Sequence, residues 1–97
     1  MLKVFRISPE ANAKVQAVLR EDAFARNGYI YREGSTLGLE TKDYYLYIEA
    51  PENFFKEQEE KLRIDGVKEI KGEEFEKIKG EIEKEQENVA TGISLFE

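Results

Sequence analysis

The spacing of apolar positions changes period several times along this 97-residue chain, and each change marks an element. The opening "LKVFRIS" is rich in β-formers and predicts a strand. In "SPEANAKVQAVLREDAFARNG" the period lengthens: Ala11, Val15, Val18, Leu19 and Ala23 form one apolar stripe of a helix. Ser8 is placed to cap that helix, Pro9 suits its first turn, and Asn27-Gly28 supplies the left-handed residue that ends it.

"GYIYREGSTLGLETKDYYLYIEA" then alternates with period two. Gly34-Ser35 has the glycine-first pattern of a tight hairpin turn, which would place Ile30, Leu37 and Leu39 on one face and Tyr29 and Tyr31 on the other. A turn in "ETKD" leads to a further strand, with Tyr44, Leu46 and Ile48 alternating against Tyr45 and Tyr47. The expectation is a three-stranded meander, with a long open loop over 33–43 as the rival. A second helix opens at Pro51 and presents Phe54, Phe55, Gln58 and Leu62 on one side. Asp65-Gly66 makes a turn into a short strand, Val67 to Ile70. A third helix carries Phe75, Ile78, Ile82 and Val89 at helical spacing, with Gly80 as a costly interior residue. "TGISLFE" reads as a closing strand with Ile93 and Leu95 on one face.

This order predicts a single α+β domain over residues 1–97 with a mostly antiparallel sheet and a C-terminal helix and strand. Residues 2–70 resemble the ferredoxin-like βαββαβ order, with an extra hairpin strand as an option, and "EKLRIDGVKEI" resembles the joint between its second helix and last strand. That superfold hosts unrelated activities, so the resemblance implies an architecture and no function.

Composition narrows the chemistry. Without His or Cys there is no imidazole acid–base catalyst, no Cys or Ser-His nucleophile and no thiolate or imidazole metal site. The expectation is no cofactor and no metal; a metal would have to be a hard cation such as magnesium, held by carboxylates. The net charge of −6 lies wholly in residues 51–97, which hold fourteen acidic and eight basic side chains. Such a surface repels phosphate backbones and anionic lipid. No apolar run is long enough to span a membrane, and no export signal opens the chain, which points to the cytoplasm. Eighteen Glu and ten Lys resemble thermophile composition.

All five tyrosines fall between Tyr29 and Tyr47. On the face away from Ile30 and Leu46, Tyr29, Tyr31, Tyr45 and Tyr47 would form an aromatic patch, with Phe5 joining from the first strand. Such a patch suits burial under the third helix or contact with a second copy or another protein, since tyrosine buries its ring and keeps a polar tip. It would also suit base stacking, but against the RNA-recognition motif "KDYYLY" has Asp43 where glycine belongs and Leu46 where the second aromatic belongs. The leading expectation is a self-associating module that binds a protein or small ligand. RNA binding on the sheet, and an enzyme using carboxylate and arginine groups with magnesium, are the alternatives.

Among the remaining candidates, Asp22, Asp43 and Asp65 lie near element ends, and Glu73 and Glu74 suit the start of the third helix. Arg26 and Arg32 are the pair of interest for an anion. "REGSTLGLE" opens no helix and is neither a dinucleotide fingerprint nor a P-loop.

Overall fold

The computed structural model describes the backbone of residues 1–95 and the side chains of residues 1–85. It is an α+β fold on a four-stranded, open antiparallel sheet. The strands are β1 (Leu2–Ile7), β2 (Ile30–Glu33), β3 (Tyr44–Glu49) and β4 (Val67–Glu69), in the spatial order β2-β3-β1-β4. Helices α1 (Asn12–Leu19) and α2 (Asp22–Asn27) connect β1 to β2, and α3 (Glu52–Gln58) connects β3 to β4. Each connection therefore skips over a strand that belongs to the other. Helix α4 (Gly72–Leu95) follows the last strand.

Register decides which residues share a face. Opposite β3, Val4 meets Tyr47 and Arg6 meets Tyr45, while Ile30 meets Tyr47 and Arg32 meets Tyr45 from the other side. Directly paired residues point to the same side of an antiparallel sheet. One face thus holds Val4, Arg6, Ile30, Arg32, Tyr45 and Tyr47; the other holds Phe5, Ile7, Tyr31, Tyr44, Leu46 and Ile48.

Helices α1, α2 and α3, with the 3-10 turn Glu59–Leu62 that follows α3, cover the second face, burying Val15, Leu19, Phe24, Phe55 and Leu62 against Phe5, Ile7, Leu46 and Ile48. The first face is covered too: Ile78 and Ile82 of α4 join Val4, Tyr45, Ile70 and Leu37 in a separate cluster. The molecule is three layers, with the sheet in the middle. A strand set that is apolar on both sides requires this, because each exposed face would leave large side chains in water.

Several elements differ from expectation. The first helix is broken: Glu21 takes an extended conformation (φ −64°, ψ 148°), and the chain restarts as α2. The break turns the larger Phe24 into the core, at 1% exposure, where a continuous helix would have aimed Ala23. Ser8 makes no side-chain cap; its backbone N–H instead donates to the Gly66 carbonyl at 2.9 Å.

The extra hairpin strand does not form. Gly34 begins a 3-10 turn (Gly34–Leu37), Gly38 ends it at φ +80°, and the chain reaches β3 as an open loop. A glycine-first hairpin needs a positive φ at Gly34, and Gly34 has none. A glycine is needed there for space: any Cβ would run into the Thr41 methyl and come within 3.0 Å of the Asp43 carbonyl. Leu37 and Leu39 still join Ile30 on one face, as the alternation implied, but from a loop.

The expected closing strand is also absent, since α4 continues through Leu95. Extending an existing helix adds a hydrogen bond per residue without new nucleation, whereas a strand must find a sheet edge. Phe96 and Glu97 of that expected strand lie outside the described residues, as do the side chains of Val89, Ile93 and Leu95.

Gly80 is exposed, and a Cβ there would meet nothing within 4 Å. Its cost is therefore conformational only. Gly80→Ala should raise stability in urea unfolding by roughly 0.5–1 kcal/mol; a loss would show that α4 is not a packed helix at this point.

Candidate functional site

The five residues expected to form one aromatic patch are distributed over both sides of the sheet. Tyr45 and Tyr47 lie on the α4 face, whereas Tyr31 and Phe5 lie opposite. Ile30 pairs with Tyr47, so the patch cannot avoid Ile30's face as the sequence pattern implied. Phe5 is a core residue at 4% exposure. Only Tyr29, which precedes β2, is a strongly exposed tyrosine, at 39%.

Helix α4 closes over Tyr45, leaving it 5% exposed. Polar contacts border this apolar seam. Arg6 Nη1 donates to Glu74 Oε2 at 2.9 Å, Tyr47 Oη donates to Glu83 Oε2 at 2.9 Å, and Arg32 Nε donates to Glu85 Oε1 at 2.7 Å. Glu74 and Glu85 are separated by about 16 Å of helix axis, enough to carry α4 across from β1 to β2. Arg26 pairs with Asp22 at 3.1 Å on exposed α2, so Arg26 and Arg32 lie against opposite faces and build no shared anion site. Asp43 accepts a long contact from Arg6 at 3.7 Å, and Asp65 lies in the turn before β4. Among the described residues no three carboxylates converge in the way a metal site requires.

On the other face Tyr31 and Tyr44 stack with centroids 5.5 Å apart and planes 5° from parallel. Tyr31 Oη donates to Asn12 Oδ1 at 2.7 Å, which ties β2 to α1. Two shallow hollows flank Tyr29 at the β2 edge. One, of about 190 Å³, is lined by Gln16, Leu19, Arg20, Tyr29 and Tyr31. The second, of about 220 Å³, is lined by Asn27, Gly28, Tyr29, Ile30, Tyr47 and Glu49. The first has Tyr31 of the α1 face in its lining, the second has Ile30 and Tyr47 of the α4 face, and both include Tyr29.

A larger cleft, of about 360 Å³, opens at the other end of the sheet. Phe5, Leu62 and Val67 supply its apolar lining, and Lys3, Glu59, Arg63 and Glu69 its charged groups. Lys3 Nζ lies 2.8 Å from Glu59, 3.8 Å from Glu69 and 5.1 Å from the Phe55 ring centre. The hydrogen bond to Glu59 raises the Lys3 pKa above its ordinary value, partly opposed by burial. Nothing local in the sequence signals this cleft, because its parts are far apart along the chain: Lys3 and Glu59 are 56 residues from one another.

No protein-family model matches the chain, and neither a curated protein nor a solved structure is detectably similar to it. No helix among the described residues is long and apolar enough to cross a membrane.

Burial, with a smaller contribution from Tyr44, raises the Tyr31 pKa from 10.0 to about 12. Burial together with the bond to Glu83 does the same for Tyr47. Between pH 10 and 12 the unfolded chain loses these protons and the folded chain keeps them. Stability should therefore fall as pH rises through that window, with neither tyrosine contributing a pH dependence below it. Ultraviolet titration should show late tyrosinate formation that diminishes in Tyr31→Phe and in Tyr47→Phe; unchanged late titration in both variants would refute the assignment.

Proposed function

We propose that the chain is a small cytoplasmic association module that pairs with a second copy by adding one β2 strand to another. The strand order β2-β3-β1-β4, with each connection skipping a strand, supports a ferredoxin-like reading of residues 2–70. The observation that carries the proposal is the pair of hollows astride Tyr29. An added strand sends alternate side chains to opposite faces, so hollows on both sides of one edge suit strand addition better than a flat surface contact.

The two sheet edges differ in the same sense. β4 is only three residues long, which blunts an edge. β2 has four residues and no proline, and it carries half-buried Tyr31 with exposed Tyr29 just before it, a residue type enriched at interfaces. Antiparallel pairing about Tyr31 sets Tyr29 opposite Glu33 of the second copy and Ile30 opposite Arg32, with no like charges facing. A shift of the two-fold axis to Arg32 would oppose two guanidinium groups and is disfavoured.

Light scattering across the micromolar range tests this. The expected result is a dimer that dissociates on dilution. Tyr29→Glu, which opposes two carboxylates, should abolish it, and adding Glu33→Lys to that variant should restore it. A monomer at every concentration, or a dimer indifferent to Tyr29→Glu, overturns the proposal.

A further inference from the structure

The cleft at the β4 end of the sheet combines apolar residues with charged groups of both signs. Its volume of about 360 Å³ falls within the range of small-ligand pockets. Half-buried Val67 is the apolar lining residue most open to an aliphatic or aromatic side chain, with Phe5 and Leu62, at 4% and 3% exposure, forming the wall behind it. Lys3 stands between Glu59 and Glu69, so these three together carry an excess negative charge. Arg63 lines the same cleft, is exposed, and has no carboxylate within 4 Å among the described residues. The rim is therefore neutral overall, with Lys3 beside its two carboxylates and the Arg63 guanidinium without an ion pair among the described residues.

We propose that this cleft binds a free α-amino acid with an apolar side chain, its carboxylate on Arg63, its ammonium on the Glu59–Glu69 side and its side chain on Phe5, Leu62 and Val67. Neither charge alone accounts for the arrangement. A simple anion would face two carboxylates, and a simple cation would face Lys3 and Arg63. A zwitterion satisfies both, and a guanidinium presents a planar fork that suits a carboxylate. The apolar floor selects against glycine. This site is at the opposite end of the sheet from β2 and does not depend on how copies associate.

Calorimetric titration of the full chain with leucine, phenylalanine, glycine, isocaproate and isoamylamine tests it. Leucine or phenylalanine should bind. Isocaproate, which lacks the ammonium, and isoamylamine, which lacks the carboxylate, should each bind at least about tenfold more weakly, and glycine should bind weakest. Arg63→Ala and Glu69→Gln should each weaken leucine by a similar factor without changing the thermal midpoint of the free protein by more than a few degrees. Val67→Trp, which fills the floor, should block leucine. Absence of leucine and phenylalanine binding, or binding of isocaproate as tight as leucine, overturns the proposal. So does leucine binding that survives both Arg63→Ala and Glu69→Gln.

Discussion

The structure depends on one constraint: the strands are apolar on both sides, so the sheet must be covered twice. Helices α1 to α3 cover the face of Phe5, Leu46 and Ile48. That leaves Val4 at 0% exposure and Tyr45 at 5% on the other face, where α4, the loop around Leu37 and Ile70 pack against them. Fully burying an isoleucine contributes about 1.5–3 kcal/mol, and α4 supplies Ile78 and Ile82 at 2% and 0% exposure. The ion pairs beside them, Arg6 with Glu74 and Arg32 with Glu85, are each about a third exposed. Pairs of that kind contribute about 0–1 kcal/mol. The apolar seam holds α4 in place, and the charged contacts fix where along the sheet it sits.

This seating redistributes the tyrosines. Tyr45 serves as packing, Tyr47 reaches the rim to bond Glu83, and Tyr31 with Tyr44 braces the opposite face. Base stacking on the face beneath α4 would require that helix to leave, exposing Val4, Ile78 and Ile82 together. Among the described residues, the hollows that remain open include those beside Tyr29 at the β2 edge and the cleft lined by Lys3 and Arg63.

Much of the fold was legible because local patterns and tertiary structure agree. The stripe Phe75, Ile78, Ile82 does face a sheet, and the alternation of Tyr44, Leu46 and Ile48 against Tyr45 and Tyr47 sets two faces of β3 correctly. Gly28, at φ +84°, ends α2 where Asn-Gly marked it. What failed did so where a long-range contact outweighed a local signal. Gly34-Ser35 has hairpin chemistry, but the space beneath Thr41 and Asp43 decided its conformation. A continuous first helix has the simpler stripe, but Phe24 buries more apolar surface than Ala23, and the chain breaks to place it. Alternation alone puts Tyr31 with Tyr45 and Tyr47, but the structure puts it with Tyr44, because the period of a strand orders residues within it and only register relates one strand to the next. The candidate cleft was invisible for the same reason: it draws on β1, β4 and the turn that follows α3.

Helix α4 closes the Tyr45 face within the folded protein. Nuclear Overhauser contacts between the Tyr45 ring and the methyl groups of Ile78 and Ile82 measure this directly. Strong contacts from that ring to α4 are expected, with the Tyr45 amide and ring shielded from a soluble paramagnetic probe. Their absence, with the Tyr45 ring reached by the probe as readily as Tyr29, would contradict it.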